Sequence, residues 1–277
     1  MKSSFSVTDH AVSGERFELV YNEQRHMYET SPVPAPDKIS AYYESEDYIS
    51  HTDAKRSLFE MLYYGVKQIT LSRKQKLIKT YSPEKGKILD LGAGTGDFLE
   101  FCKNKSWETL GVEPSEAARK LAAAKGLDLL KDQKQITTTF NVITMWHVLE
   151  HVHDVHAQMK WLKEHLHQNG TLFIAVPNFE SYDAQHYGSF WAGYDVPRHL
   201  HHFSEKAIRW YCDQNQLQLL DTRPMKFDAY YVSLLSEKYK NGRMRYWPAF
   251  ITAWRSNQKA KRSRAYSSKI YIIKHKS

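Results

Sequence analysis

Cysteine is scarce: Cys102 and Cys212 are the only two in 277 residues. That excludes a disulfide-stapled scaffold and reads as two buried thiols in a reducing compartment. Long apolar runs are also missing. Leu172-Phe173-Ile174-Ala175-Val176 is one of the longest, well short of the ~18 residues a membrane-spanning helix needs, and suits a buried strand. No apolar h-region marks a secretory leader near Met1, so cytoplasmic residence is the default expectation. Wholesale disorder is excluded by 42% hydrophobic and 13% aromatic residues against 25% charged. Acidic residues stop at Glu237, after which 12 Lys and Arg follow, and residues 201–277 carry 16 basic against 5 acidic side chains. The net charge of +8 is therefore concentrated at one end. Such a field suits an anionic partner, whether an acidic substrate, a membrane surface or a nucleic acid, or it is a solvated basic face.

The length fits one α/β-sized domain with decorations. Residues 1–36 show no sustained periodicity and end in Pro32-Val33-Pro34-Ala35-Pro36, which reads as an extended N-terminal arm. Residues 37–80 turn helical, with Asp53 as an N-cap and Leu58, Met61, Leu62, Val66 and Ile69 at helical spacings, and are expected to form a helical cap. From 81 to 277, short apolar runs at 87–91, 109–113, 127–130, 140–145 and 171–176 alternate with helical stretches. That alternation predicts an α/β fold with a parallel sheet built from βαβ units. A polar and aromatic loop over 178–203, a helix over 204–215, a strand over 217–222, a basic helical insert over 228–264 and a closing strand over 266–273 complete the reading.

The most informative stretch is Asp90-Leu91-Gly92-Ala93-Gly94-Thr95-Gly96-Asp97-Phe98, a strand running into glycines that open a helix. Glycines let the backbone turn sharply and approach a ligand without Cβ atoms in the way. A dinucleotide fingerprint would place a glycine at 97, where Asp stands, and no Gly-Lys-Ser/Thr closes a P-loop, so both are disfavoured. Glu113 ends the next apolar strand about 20 residues on, where a carboxylate accepts hydrogen bonds from ribose hydroxyls.

On these residues the chain resembles the class I S-adenosylmethionine (SAM) dependent methyltransferases. Asp90 to Gly96 match their first motif, Glu113 their acidic second motif, and Phe140 to Val152, with Met145-Trp146-His147, the next. The resemblance implies a Rossmann-like, seven-stranded, mostly parallel sheet with helices on both faces, and SAM as cofactor. Asp90, Gly92, Ala93, Gly94, Gly96, Phe98, Glu113, Pro114, Met145, Trp146, His147 and Tyr48 of the cap are the cofactor-binding residues so implied. Closer similarity, to bacterial enzymes resembling the ubiquinone-pathway O-methyltransferases, extends through 42–51 and through Asp195-Val196-Pro197-Arg198-His199-Leu200-His201-His202-Phe203-Ser204. Those relatives hold a divalent metal with a Glu-x-x-Glu-His pattern; here His147 replaces the first Glu, and no metal ligand is assigned.

Methyl transfer to a hydroxyl is an in-line displacement assisted by a base near neutrality. His147, Glu150 and His151 share a face if helical, and His199 lies in the aromatic loop with Tyr182, Tyr187, Phe190, Trp191 and Tyr194, expected to frame an acceptor pocket. His199 is the expected general base, with Glu150 and His151 the other catalytic candidates. His51 is expected to touch the cofactor's methionine end or the substrate beside Tyr48. The leading expectation is methyl transfer to a hydroxyl of a small or glycan- or lipid-linked acceptor, small-molecule or glycan-like, with an acidic group on it suiting the basic C-terminal face. Alternatives are an RNA methyltransferase using the basic C-terminal face, and a non-catalytic or peripheral membrane module anchored through Trp247, Phe250, Ile251 and Trp254. Nucleic acid is disfavoured, since no RNA-binding module and no Asn/Asp-Pro-Pro-Tyr motif is present.

Overall fold

The computed structural model describes residues 3–43 and 58–276. Tyr48, His51, Asp53 and the side chains of Leu58, Met61, Leu62 and Val66 lie outside the described part. In chain order the elements are β1 (Ser4–Thr8), β2 (Arg16–Asn22), β3 (Met27–Ser31), α1 (Leu58–Tyr81), β4 (Lys87–Leu91), α2 (Asp97–Lys103), β5 (Glu108–Val112), α3 (Glu116–Ala123) and β6 (Leu129–Leu130). Then come β7 (Phe140–Trp146), α4 (Val155–His165), β8 (Leu166–Pro177), α5 (Tyr182–Tyr187), β9 (His201–His202), α6 (Glu205–Gln214), β10 (Leu217–Pro224), α7 (Asp228–Asn241), α8 (Tyr246–Ser263) and β11 (Ser268–His275).

Seven strands form one sheet in the order β10-β11-β8-β7-β4-β5-β6, as expected. The pairs among β6, β5, β4, β7 and β8 are parallel, and β11 runs antiparallel between β8 and β10. The apolar runs are continuous because both faces are covered, and alternate residues go to opposite sides. Leu89, Leu91, Ile143, Met145, Leu172, Ile174 and Val176 pack on α4 and α6 through Met159, Leu162, Ile208 and Tyr211. Ile88, Val142, Phe173, Ala175 and Ile272 pack on α1 and α2 through Leu71, Ile78, Phe98 and Cys102. Strand order reverses at β4, which pairs with β5 on one side and β7 on the other. A crevice at the carboxyl ends of these strands is where open α/β sheets take ligands.

Three features depart from the sequence reading. The arm expected over 1–36 folds: β1, β2 and β3 make an antiparallel sheet that β9 joins. Its signal is the short alternation Arg16-Phe17-Glu18-Leu19, in which Phe17 and Leu19 are buried and their neighbours exposed. The aromatic loop is not an open pocket wall; Tyr187, Trp191 and Tyr194 are buried against Val7, Phe17, Leu19 and Tyr28 as the core of that small sheet. The insert divides into α7 and α8 at Gly242, whose φ of 69° ends the first helix in the left-handed conformation that glycine adopts freely.

Candidate active site

The cofactor side of the crevice is built from backbone. Gly92 and Ala93 donate to the Val112 carbonyl at 2.8 and 3.0 Å, which folds the end of β4 over the end of β5. Gly92 has φ 71°, and a Cβ there would lie 2.4 Å from Val148 Cγ2; Gly96 has φ 77°, and a Cβ would lie 2.6 Å from Leu127. Both positions therefore require glycine by conformation and by space. Gly94 differs: its φ is 54°, but a Cβ would meet nothing within 4 Å. Its bare backbone faces open space, as a ligand-approach position should. The Gly94 N–H donates to Glu113 Oε2 and the Ser115 N–H to Glu113 Oε1, each at 2.8 Å. Each carboxylate oxygen keeps a lone pair for a ligand hydroxyl, so loop and carboxylate fit the ribose end of a nucleoside. Pro114 sits exposed beside them. Asp97, where a dinucleotide loop would have glycine, is held by Lys125 at 2.7 Å and by the Thr95 hydroxyl at 2.8 Å, so it locks the start of α2.

Beneath the loop, Asp90 is buried and accepts a 2.6 Å hydrogen bond from Thr144 Oγ1. Burial raises its carboxyl to about 7. Phe98 and Met145 are buried in the two cores flanking the sheet, and Trp146 stands edge-on to Phe98 with ring centroids 5.5 Å apart. Lys74 of α1 lies 4.1 Å above the Trp146 ring, a cation–π arrangement, and burial lowers its ammonium to about 8. Trp146 Nε1 is a buried donor without a partner among the described residues.

The opposite wall carries the titratable groups. The stretch after β7 is not the expected α-helix: His147 takes φ 58° and Leu149–His151 form a single 3₁₀ turn. His147 and His151 consequently diverge. His147 Nδ1 meets Glu150 Oε1 at 3.3 Å and its Nε2 meets Asp228 Oδ2, at the start of α7, at 3.0 Å. Desolvation opposes the imidazolium, but hydrogen bonds to the two carboxylates outweigh it and push His147 up to about 10. His147 thus stands as a cation that keeps Glu150 ionised despite burial, holding the Glu150 carboxyl below its ordinary range.

His151 turns toward His199 instead, with ring centroids 4.7 Å apart. Its Nδ1 donates to the Arg198 carbonyl at 2.9 Å and lies 3.0 Å from the Tyr43 hydroxyl. Burial, then the neighbouring His199, lowers it to about 4, so it is neutral at pH 7. His199 Nδ1 sits 2.9 Å from the Gly193 carbonyl and donates to it, which leaves Nε2 as a lone-pair acceptor, 4.0 Å from Glu150 Oε1. Glu150 Oε2 is buried and has no partner among the described residues. Glu150, His151 and His199 each offer a ligand atom within 4.8 Å of the others, so among the described residues this trio, to which His147 does not belong, could hold a divalent ion. His201 and His202 join β9, and His202 bonds Thr30 Oγ1 at 3.0 Å inside the small sheet.

Arg198 organises this wall. Its side chain is 2% exposed and bonds Asp9 at 2.8 Å, Asp195 at 2.7 and 3.0 Å, and the Tyr42 carbonyl at 2.8 Å. Sequence reasoning quoted Tyr43, Arg198 and Asp195 within motifs but gave them no role, and missed Asp9, Asp228 and Lys74. Asp9 carried one local signal, an Asx-type turn in which its carboxylate caps Ala11, Val12 and Ser13. Asp228 carried only its place in the first turn of a basic helix.

Comparison with known proteins is consistent with this geometry. A family model described as a methyltransferase domain matches residues 67–222. A ubiquinone biosynthesis O-methyltransferase from Actinobacillus pleuropneumoniae serotype 5b is 29% identical over 170 residues, covering 55% of this chain and 72% of that protein. Among solved structures, magnesium protoporphyrin IX methyltransferase from Synechocystis PCC 6803, with SAH bound, shares the fold with a TM-score of 0.56 and 13% identity, over 87% of this chain and 100% of the other. The phosphoethanolamine N-methyltransferase 2 of Haemonchus contortus aligns with a TM-score of 0.51 and 10% identity, over 74% of this chain; the chain spans about half of that protein, 53%.

Proposed function

The chain belongs to the methyltransferase domain family, and from that premise we propose that it is a SAM-dependent enzyme that methylates a hydroxyl of a small, glycan-like or lipid-linked acceptor. When bound, SAM supplies a methyl on a cationic sulfur that an oxygen can displace in line. Gly92, Ala93, Gly94 and Gly96 form the backbone cradle, and Glu113 holds the ribose hydroxyls. Asp90, Phe98, Pro114, Met145, Trp146 and His147 shape the floor and rim of that cradle.

The observation that carries the hydroxyl assignment is the Nε2 of His199, left free by the Nδ1 bond to Gly193 and 4.0 Å from Oε1 of the buried, ionised Glu150, whose other oxygen, Oε2, has no partner among the described residues. In this reading Nε2 takes the proton that the acceptor oxygen loses, while Nδ1–H stays on Gly193. Glu150 stabilises the imidazolium that forms, as a buried carboxylate does for a catalytic histidine. His151, neutral, packs against the ring and fixes its plane. A second reading rests on the same trio: a divalent ion held by Glu150, His151 and His199 would activate the hydroxyl in place of a proton acceptor.

The test starts from tritiated methyl transfer into a cell extract, fractionated into RNA, lipid, glycan and small molecules to find the acceptor. With that acceptor, His199→Ala is expected to lower kcat by about 10²–10⁴ with the heat of SAH binding unchanged. Unchanged turnover would remove the base. Activity lost on chelation and restored by added metal would replace it with the second reading, and label confined to RNA would overturn the acceptor class.

A further inference from the structure

Helix α8 presents its two stripes the opposite way from an ordinary amphipathic helix. The face turned inward is made of small residues, Ala249, Thr252, Ala253, Ser256 and Ala260, all buried. The large apolar residues, Trp247, Phe250, Ile251 and Trp254, fall at i, i+3, i+4 and i+7 and face out; Trp247 is 77% exposed and Phe250 and Trp254 about half. This orientation is anchored. Ser256 Oγ donates to the buried Asp183 carboxylate at 2.5 Å, and Ser267 Oγ and Trp191 Nε1 donate to the same group at 2.6 and 2.8 Å. Rolling the helix to hide its aromatics would take Ser256 away and leave the buried Asp183 Oδ1 without that donor, which is unfavourable. Tyr246 and Met244 extend the apolar surface to the tip of the α7–α8 hairpin and are also exposed. A contiguous exposed apolar patch of this kind marks an interaction surface.

The surrounding charge selects the partner. Lys240, Arg243, Arg245, Arg255, Lys259, Lys261, Arg262 and Arg264 are exposed along the hairpin, and no acidic residue follows Glu237 in the sequence. Glu237 itself is buried, 3.9 Å from Arg245. A symmetric contact with a second copy would set Arg243, Arg245 and Arg255 against their own equivalents. A nucleic acid would leave the aliphatic part of the stripe, Met244 and Ile251, without a use, because strand binding takes stacking rings and phosphate-binding cations. Trp, Tyr and Phe flanked by arginine and lysine is the composition of a helix lying in the headgroup region of an anionic bilayer. No helix among the described residues is long and apolar enough to cross a membrane, so the attachment is to the surface.

We propose that the α7–α8 hairpin docks the protein on anionic membrane surfaces, with Met244, Trp247, Phe250, Ile251 and Trp254 at the acyl boundary and the arginines and lysines on the headgroup phosphates. The docking is independent of the methyl-transfer reading, since none of these side chains belongs to the crevice.

Sedimentation of the full chain with vesicles of phosphatidylcholine alone, and of phosphatidylcholine mixed with phosphatidylglycerol, tests it. Binding to the mixed vesicles is expected to exceed binding to the neutral ones by about tenfold or more at low salt, and to blue-shift tryptophan emission. The variant W247A/F250A/W254A is expected to lose the binding while keeping its thermal midpoint and its heat of SAH binding, because the replaced side chains are exposed. R243E/R245E is expected to remove the preference for anionic lipid. Absence of binding by the folded wild type, equal binding to both vesicles, or undiminished binding by the triple variant would each overturn the proposal. So would a concentration-dependent dimer in light scattering that W247A abolishes, or salt-sensitive RNA binding in the absence of vesicles.

Discussion

The two walls of the crevice are built on different principles. The glycine wall is local: Asp90 to Asp97, Glu113 and Ser115 are near neighbours in sequence, and backbone N–H groups make most of its contacts. The histidine wall is long-range: Arg198 reaches Asp9 across 189 positions, His151 reaches Tyr43 across 108, and His147 reaches Asp228 across 81. A local wall is set by backbone conformation, so it should tolerate damage elsewhere in the molecule. A long-range wall stands or falls with the small sheet and with α7.

The sharpest way to break that contrast is Arg198→Ala. It leaves the Asp9 carboxylate buried with its turn donors but without a counter-charge, and the expected loss is about 3–5 kcal/mol in the urea unfolding free energy. The heat of SAH binding by the fraction that remains folded should stay unchanged. A loss below about 1 kcal/mol would mean that the wall does not depend on this ion pair.

Glu113→Ala inverts the pattern. Removal of a charged acceptor should weaken SAH binding by about 1.5–3 kcal/mol, roughly ten- to hundredfold by calorimetry, with little change in the denaturation midpoint. Equal affinity would take the carboxylate out of the cradle. Smaller again is Gly94→Ala. The Cβ meets no neighbour, so only the left-handed φ is penalised, by about 1–2 kcal/mol of stability. A ligand passing close to that backbone would make the loss in SAH affinity larger than the loss in stability.

The gentlest test is pH, where the walls should respond with opposite signs, each by no more than about 1.4 kcal/mol per pH unit. At Asp9, burial opposes ionisation, but the Arg198 hydrogen bond and charge and the Ser13 N–H outweigh it, so the folded carboxyl lies below its ordinary 3.8. Its contribution is complete above 3.8 and is lost as pH falls through the lower folded value. At Asp90, burial raises the carboxyl to about 7. Its contribution is complete below 3.8 and is lost as pH rises through about 7. Asp9→Asn should therefore flatten the acid limb of the stability curve and Asp90→Asn the limb between about 4 and 7. Matching curves for the two variants would contradict the opposed environments.

Much of this molecule was legible before any fold was in view, and for a physical reason. Glycine at 92, 94 and 96 is demanded by the conformation of its own residue, and the continuous apolar runs of β4, β7 and β8 by strands buried on both faces. Glu113 follows because the next parallel strand must end beside the first. All of these are short-range consequences of backbone geometry.

The histidine wall was not legible in the same way. The spacing of His147, Glu150 and His151 suggested one helical face, but a left-handed His147 sends the two imidazoles apart and brings His199 to Glu150 and His151. The stripe of Trp247, Phe250, Ile251 and Trp254 and the stripe of Ala249, Thr252, Ala253 and Ser256 can both be read from the chain. Which of them faces inward was decided by Asp183, 73 positions from Ser256. Periodicity determines which side chains share a face, because it belongs to the backbone. The partner of a buried charge is determined by the path of the chain, because the pairing that removes its desolvation penalty comes from wherever the fold brings a counter-group within reach.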